Sequence, residues 1–125
     1  MEQRNSLHDL EAPPRVRAGD TVAITSEEAP SPAHVDAYLT DLEHLGVFDA
    51  VAGLVVGRPT RYTDEQTTAL WDVVADRTAS AGIPVLGNVD LGHTDPMLTL
   101  PIGARARLDA GGRDFRLLEP ATALV

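Results

Sequence analysis

The residue types best suited to chemistry gather in one stretch, VLGNVDLGHTDPMLTLPIGARARLD, from Val85 to Asp109. His93 stands there between Gly92 and Thr94, at a turn joining two apolar runs. Asp90 lies three residues before it, and Asp95-Pro96 follows it. An imidazole titrates near neutrality, so on a rigid turn it suits a general base. A loop histidine that only bonds a backbone carbonyl has the same appearance, and spacing alone leaves both roles open. Arg58, in GLVVGRP, could bind a carboxylate or cap strand carbonyls. His8, His34 and His44 are scattered without paired ligand spacing, so neither a metal nor another cofactor is expected. The phosphate-loop patterns GxGxxG and GxxxxGK are absent, as is the nucleophile elbow GxSxG.

The elements that must position His93 follow from periodicity. Residues 1 to 14 read as a polar, flexible arm ending in Pro13-Pro14. Gly19-Asp20 signals a turn, and β-branched Val22 and Ile24 predict a strand over 20–25. Ser31-Pro32 supplies a cap and a first-turn proline. Val35, Leu39, Leu42 and Leu45 then recur at helical spacing, so a helix is expected from Pro32 to Leu45, stopped by Gly46. Glu27-Glu28, just ahead of that helix, suits its dipole. AVAGLVVG predicts a buried strand, Val51 to Val56. Thr63 with Gln66 is a capping-box signature for a second helix whose apolar face holds Leu70, Val73 and Val74 and which Gly82 ends. IPVLGNV is a third strand, and His93 follows its carboxyl end, where open α/β sheets place ligands. Strand and helix alternate, which implies a parallel βαβαβ core. MLTLP, ARARLD and DFRLLE, separated by turn residues, read as an antiparallel β-meander. Ala104 and Ala106 alternate with Arg105 and Arg107, which reads as a solvated arginine face.

Composition bounds the function. A chain of 125 residues with 43% hydrophobic content suits one globular α/β domain. The net charge of -9 repels phosphates and anionic lipid, so neither nucleic acid nor membrane is an expected partner. Cysteine is absent, which excludes disulfides, thiolate sites and a thiol nucleophile. The start, MEQRNSLHDLEAPP, lacks the basic and apolar regions of a signal peptide, and the expected location is cytoplasmic.

Two long stretches, SEEAPSPAHVDAYLTDLEHLGVFDAVAGLVVGRPTRY and IPVLGNVDLGHTDPMLTLPIGARARLD, resemble the C-terminal domain of the LD-carboxypeptidase (muramoyltetrapeptide carboxypeptidase) family. The resemblance runs from about Thr25 to the end, and GHTDPMLTLPIG is its specific signature. TSEEAPSP and GLVVGRP look closer to the microcin-immunity subgroup. The resemblance implies a serine peptidase with a Ser–His–Glu triad, acting on a murein peptide or a peptide-nucleotide, and a possible homodimer. It makes His93 the triad histidine. The triad Glu, in a pattern like LET, would close the strand before TSEE, where this chain has Ile24; Glu27 lies out of register. PPRVRAGDTVAI, Pro13 to Ile24, resembles the opening strand of full-length members. Residues 15–125 therefore read as the C-terminal domain with its first strand taken from the family's N-terminal start and joined near Ile24/Thr25. The nucleophile Ser and most of the N-terminal domain are missing between them.

The expected architecture is thus a small βαβαβ core plus an antiparallel meander, like the swivelling β/β/α domain that the resemblance implies. The expected function is that of a hydrolase-family domain inactive alone. The alternative is a non-catalytic binding or self-association module.

Overall fold

The structure, a computed structural model, describes residues 18–24 and 30–120. Within them the chain forms β1 (Thr21–Ile24), α1 (Pro32–His44), α2 (Val47–Ala50), β2 (Gly53–Gly57), α3 (Asp64–Thr78), β3 (Val85–Val89), β4 (Ala106–Asp109) and β5 (Asp114–Leu117). Strands β1, β2 and β3 make a parallel sheet in that spatial order. β4 and β5 pair antiparallel as a separate hairpin. The expected parallel core is therefore present. The expected arm at 1–14 and the pair Glu27-Glu28 lie outside the described residues.

Local chemistry accounts for the helices. Ser31 Oγ accepts the His34 amide, and Pro32 sits in the first turn of α1. Both halves of the capping box form at α3: the Gln66 amide donates to Thr63 Oγ1 at 3.1 Å, and the Thr63 amide donates to Gln66 Oε1 at 2.9 Å. Gly46 adopts φ 76° and stops α1, but it also starts a four-residue helix, α2, that the sequence pattern did not suggest. Val51 is therefore buried as the cap of α2, and β2 begins at Gly53.

The middle strand is buried on both faces, as parallel strands usually are. Leu54 and Val56 pack with Leu39 of α1, Phe48 of α2, and Leu70 and Val74 of α3. Gly53, Val55 and Gly57 alternate onto the opposite face, where Leu108 of β4 reaches Gly53. α1 and α3 pack side by side and share an ionic tie. Arg77 Nε donates to Asp36 Oδ1 at 2.7 Å, and Arg77 Nη1 donates to Glu43 Oε2 at 3.5 Å. The hydrogen bond from Arg77 holds the Asp36 carboxyl below its ordinary value, against an opposing push from desolvation. A lowered folded-state value stabilises above the ordinary carboxylate range and ceases to as pH falls through that lowered value. Arg77→Ala should accordingly lower the thermal midpoint at neutral pH. The gap from wild type should close on acidification through the Asp36 titration, and melts across a pH series check this.

Two differences from the expected pattern bear on the site. MLTLP forms no strand; Met97 to Pro101 run as irregular chain, so the meander reduces to the β4–β5 hairpin. Pro96 and Pro101 remove ladder donors at both ends of that stretch. The second difference is a bulge. Val55 pairs with Leu86 and Gly57 with Val89, so Gly87 and Asn88 together oppose Val56. Asn88 takes φ 62°, a left-handed conformation that asparagine tolerates. Gly87 is forced by Trp71 of α3: a Cβ there would lie 2.6 Å from the indole ring.

Candidate functional site

The carboxyl ends of β1, β2 and β3 all lie at one end of the sheet, because the three strands are parallel. Ile24 ends β1, Gly57 ends β2, and His93 follows the end of β3. Gly57 lets its neighbours converge. A Cβ on it would lie 2.8 Å from the Leu91 carbonyl oxygen and 3.3 Å from that of Ile24. The last residue of β1 and the segment leaving β3 thus converge on the middle strand at a residue with no side chain. Leu91 is buried there, and its amide donates back to the Val89 carbonyl at 2.7 Å in a tight turn. Gly92 then takes φ 84° and turns the chain outward, leaving His93 exposed.

The turn bearing His93 is held by the segment that leaves β2. The Arg58 amide donates to the Val89 carbonyl at 2.7 Å. Its side chain donates from Nε to Asp90 Oδ1 at 2.9 Å and from Nη2 to the Asp95 carbonyl at 3.3 Å. Thr60 Oγ1 donates to the His93 carbonyl at 2.5 Å. The Leu98 amide donates to the Asp90 carbonyl at 2.7 Å, and Thr94 Oγ1 donates to the Pro96 carbonyl at 2.7 Å; the Asp95-Pro96 peptide is cis. Of the two roles open to Arg58, the carboxylate contact is realised, inside the molecule; the carbonyl its side chain reaches, that of Asp95, lies in the loop, and the strand carbonyl of Val89 is met by its backbone amide. The Asp90 carboxylate, the nearest acid ahead of His93 in the chain, is engaged by the guanidinium. Thr60 went unmarked in the sequence, where nothing in GRPTRY distinguishes it from an ordinary loop threonine.

The remaining candidates lie elsewhere. His34 and His44 are exposed on α1, and His8 lies outside the described residues. Among the described residues, no group of three or more His, Asp or Glu side chains is placed to hold a metal ion, and no helix is long and apolar enough to cross a membrane. The serines are Ser6, Ser26, Ser31 and Ser80. Ser31 caps α1, and Ser80 lies in the turn after α3 that leads into the start of β3, the opposite end of the strand from His93. Ser6 and Ser26 lie outside the described residues. The arrangement can therefore present one imidazole on a braced turn. Ile24, which ends β1 at the same end of the sheet, can neither attack a carbonyl nor orient the ring.

Comparison with known proteins agrees with the architecture. A family model described as the LD-carboxypeptidase C-terminal domain matches residues 10–108, which takes in β1 through most of β4. SCO6489 of Streptomyces coelicolor is 36% identical over 87 residues, 70% of this chain and 27% of its own length. YocD of Bacillus subtilis is 29% identical over 91 residues, 72% of this chain and 28% of its own. Both are provisionally named carboxypeptidases. The microcin C7 self-immunity protein MccF of Escherichia coli is 27% identical over 107 residues, 85% of this chain and 31% of its own. The chain thus spans less than a third of the length of these relatives. By the match over most of its length, the chain belongs to the LD-carboxypeptidase family through the C-terminal domain.

Proposed function

We propose that this chain is the histidine-bearing domain of an LD-carboxypeptidase-type serine hydrolase and that it is catalytically inactive alone. The observation that carries the reading is the pairing at the strand ends: His93 stands on a braced turn after β3, while Ile24 occupies the end of β1. In amide hydrolysis the imidazole would accept the proton of a serine hydroxyl as the oxygen attacks the carbonyl carbon, and would later return it to the leaving amine. That cycle needs a carboxylate to fix the ring and balance the imidazolium. An isoleucine side chain offers neither a hydrogen bond nor a charge. The substrate class would be a peptide amide, in line with the carboxypeptidase names of the relatives, and the family resemblance offers a murein tetrapeptide or a peptide-nucleotide as the candidates. The join expected near Ile24/Thr25 enters this reading as an origin for β1, although the family match itself begins upstream, at residue 10. Resequencing the gene across that codon range tests it.

The test of inactivity is release of D-alanine from a murein tetrapeptide by the purified chain, compared with His93→Ala and Ser26→Ala. The expected result is no release above the His93→Ala background. Release abolished by either substitution would defeat the reading, and dependence on Ser26 would name the nucleophile.

A second reading, a self-association or binding module, is favoured by the apolar residues beyond His93. Met97, Leu98 and Ile102 are 62%, 51% and 56% exposed. A monomeric mass by sedimentation would remove the self-association form of it.

A further inference from the structure

We propose that Arg58 is a positioning residue for His93, a guanidinium clamp that fixes the turn from both flanks. Its Nε holds the Asp90 carboxylate on one side of the histidine, and its Nη2 holds the Asp95 carbonyl on the other. The residue's own amide is anchored to β3 through Val89. Thr60, two residues on, takes the carbonyl of His93 itself. One short segment leaving β2 therefore grips Val89, Asp90, His93 and Asp95 in turn. The far side of the loop is closed by the Leu98 amide on the Asp90 carbonyl, so the same Asp90 is held through its side chain and its backbone.

The geometry explains why the position holds an arginine. A planar fork with donors in fixed directions can reach a carboxylate and a carbonyl at once, whereas an ammonium is a single point charge. A surface ion pair of this exposure contributes little to overall stability. The clamp's effect is instead local: it limits the orientations of the turn from Asp90 to Asp95 and keeps the Asp90 charge compensated on a guanidinium. This role rests on His93 being the working group, yet it is read from the ring and the loop without any turnover. A failed D-alanine assay and a failed clamp are therefore separate results.

The experiment is NMR on the whole chain, comparing wild type with Arg58→Ala, Arg58→Lys and Asp90→Asn. It follows the imidazole resonances of His93, the hydrogen exchange of the Leu98 amide, and that of the Leu54 amide. The Leu54 amide donates to the Pro84 carbonyl inside the core and reports global opening. In Arg58→Ala the His93 ring signals should move toward those of an unstructured histidine, and Leu98 should exchange about tenfold faster with Leu54 unchanged. Arg58→Lys should recover part of the Leu98 protection without restoring the ring signals. Asp90→Asn, which preserves shape, should reproduce the ring shift even where the arginine variant folds poorly. Unchanged ring and Leu98 signals in Arg58→Ala and in Asp90→Asn would overturn the clamp. So would a rise in exchange at Leu54 equal to that at Leu98, which would make Arg58 a general stabiliser.

Discussion

Gly57→Ala is expected to destabilise the domain by about 1–3 kcal/mol and to displace the turn that bears His93. The added Cβ would fall 2.8 Å from the Leu91 carbonyl oxygen and 3.4 Å from the Leu91 Cβ. The first of these is backbone, so no side-chain rotation relieves the clash. Leu91 is buried and tied to Val89, so it cannot yield alone; the whole exit from β3 has to move. Gly111→Ala is the matched control. It lies in the β4–β5 turn, its nearest neighbour to an added Cβ is 3.6 Å away, and its φ is not in the left-handed range. That control should stay within about 0.5 kcal/mol of wild type. Urea unfolding of both variants reads the difference as a lowered midpoint at constant slope. Equal midpoints would mean that the convergence over Gly57 is looser than described, and with it the placement of His93.

The other large effect belongs to the middle strand. Leu54→Ala should cost about 2–5 kcal/mol, a large share of the ~5–15 kcal/mol that holds a domain folded. Leu54 is fully buried at the meeting point of α1, α2 and α3 with the sheet, so truncation opens a cavity that four elements would have to collapse to fill. Leu45 gives the contrast: it is the cap of α1 and 77% exposed, and Leu45→Ala removes no core contact of this kind. A thermal midpoint for Leu54→Ala close to that of Leu45→Ala would contradict the assignment of the core.

The parts of this fold that could be read ahead were those set by local chemistry. Ser31-Pro32 and Thr63 with Gln66 announce helix starts because caps satisfy backbone donors within three residues. The buried run of β2 and the turn at Gly92 placed His93 after the third strand for similar reasons. What was illegible depends on distant partners. Arg58 and Asp90 are 32 residues apart, and only the pairing of β2 with β3 makes them neighbours. α2 is a four-residue helix, too short to show a period. MLTLP has the apolar alternation of a strand but pairs with no strand among the described residues. The ladder position of Ile24 was legible from the apolar alternation of β1; that it shares an end of the sheet with His93 required the parallel register.

The bulge at Gly87 and Asn88 decides where along the chain a change of length can reach His93. Paired residues share a face of the sheet, so a chain shortened by one residue there could pair evenly with β2 while Val89 stayed opposite Gly57 and everything after it kept its face. The Arg58 amide would still meet the Val89 carbonyl and its side chain the Asp90 carboxylate, whereas a residue lost between Val89 and His93 has no spare to replace it and shortens the tether. Substitutions in this turn and changes in its length are therefore different kinds of event: a single-codon deletion between Val89 and the Leu98 anchor would undo the site in one step, whereas one in the bulge or beyond that anchor would leave the turn intact.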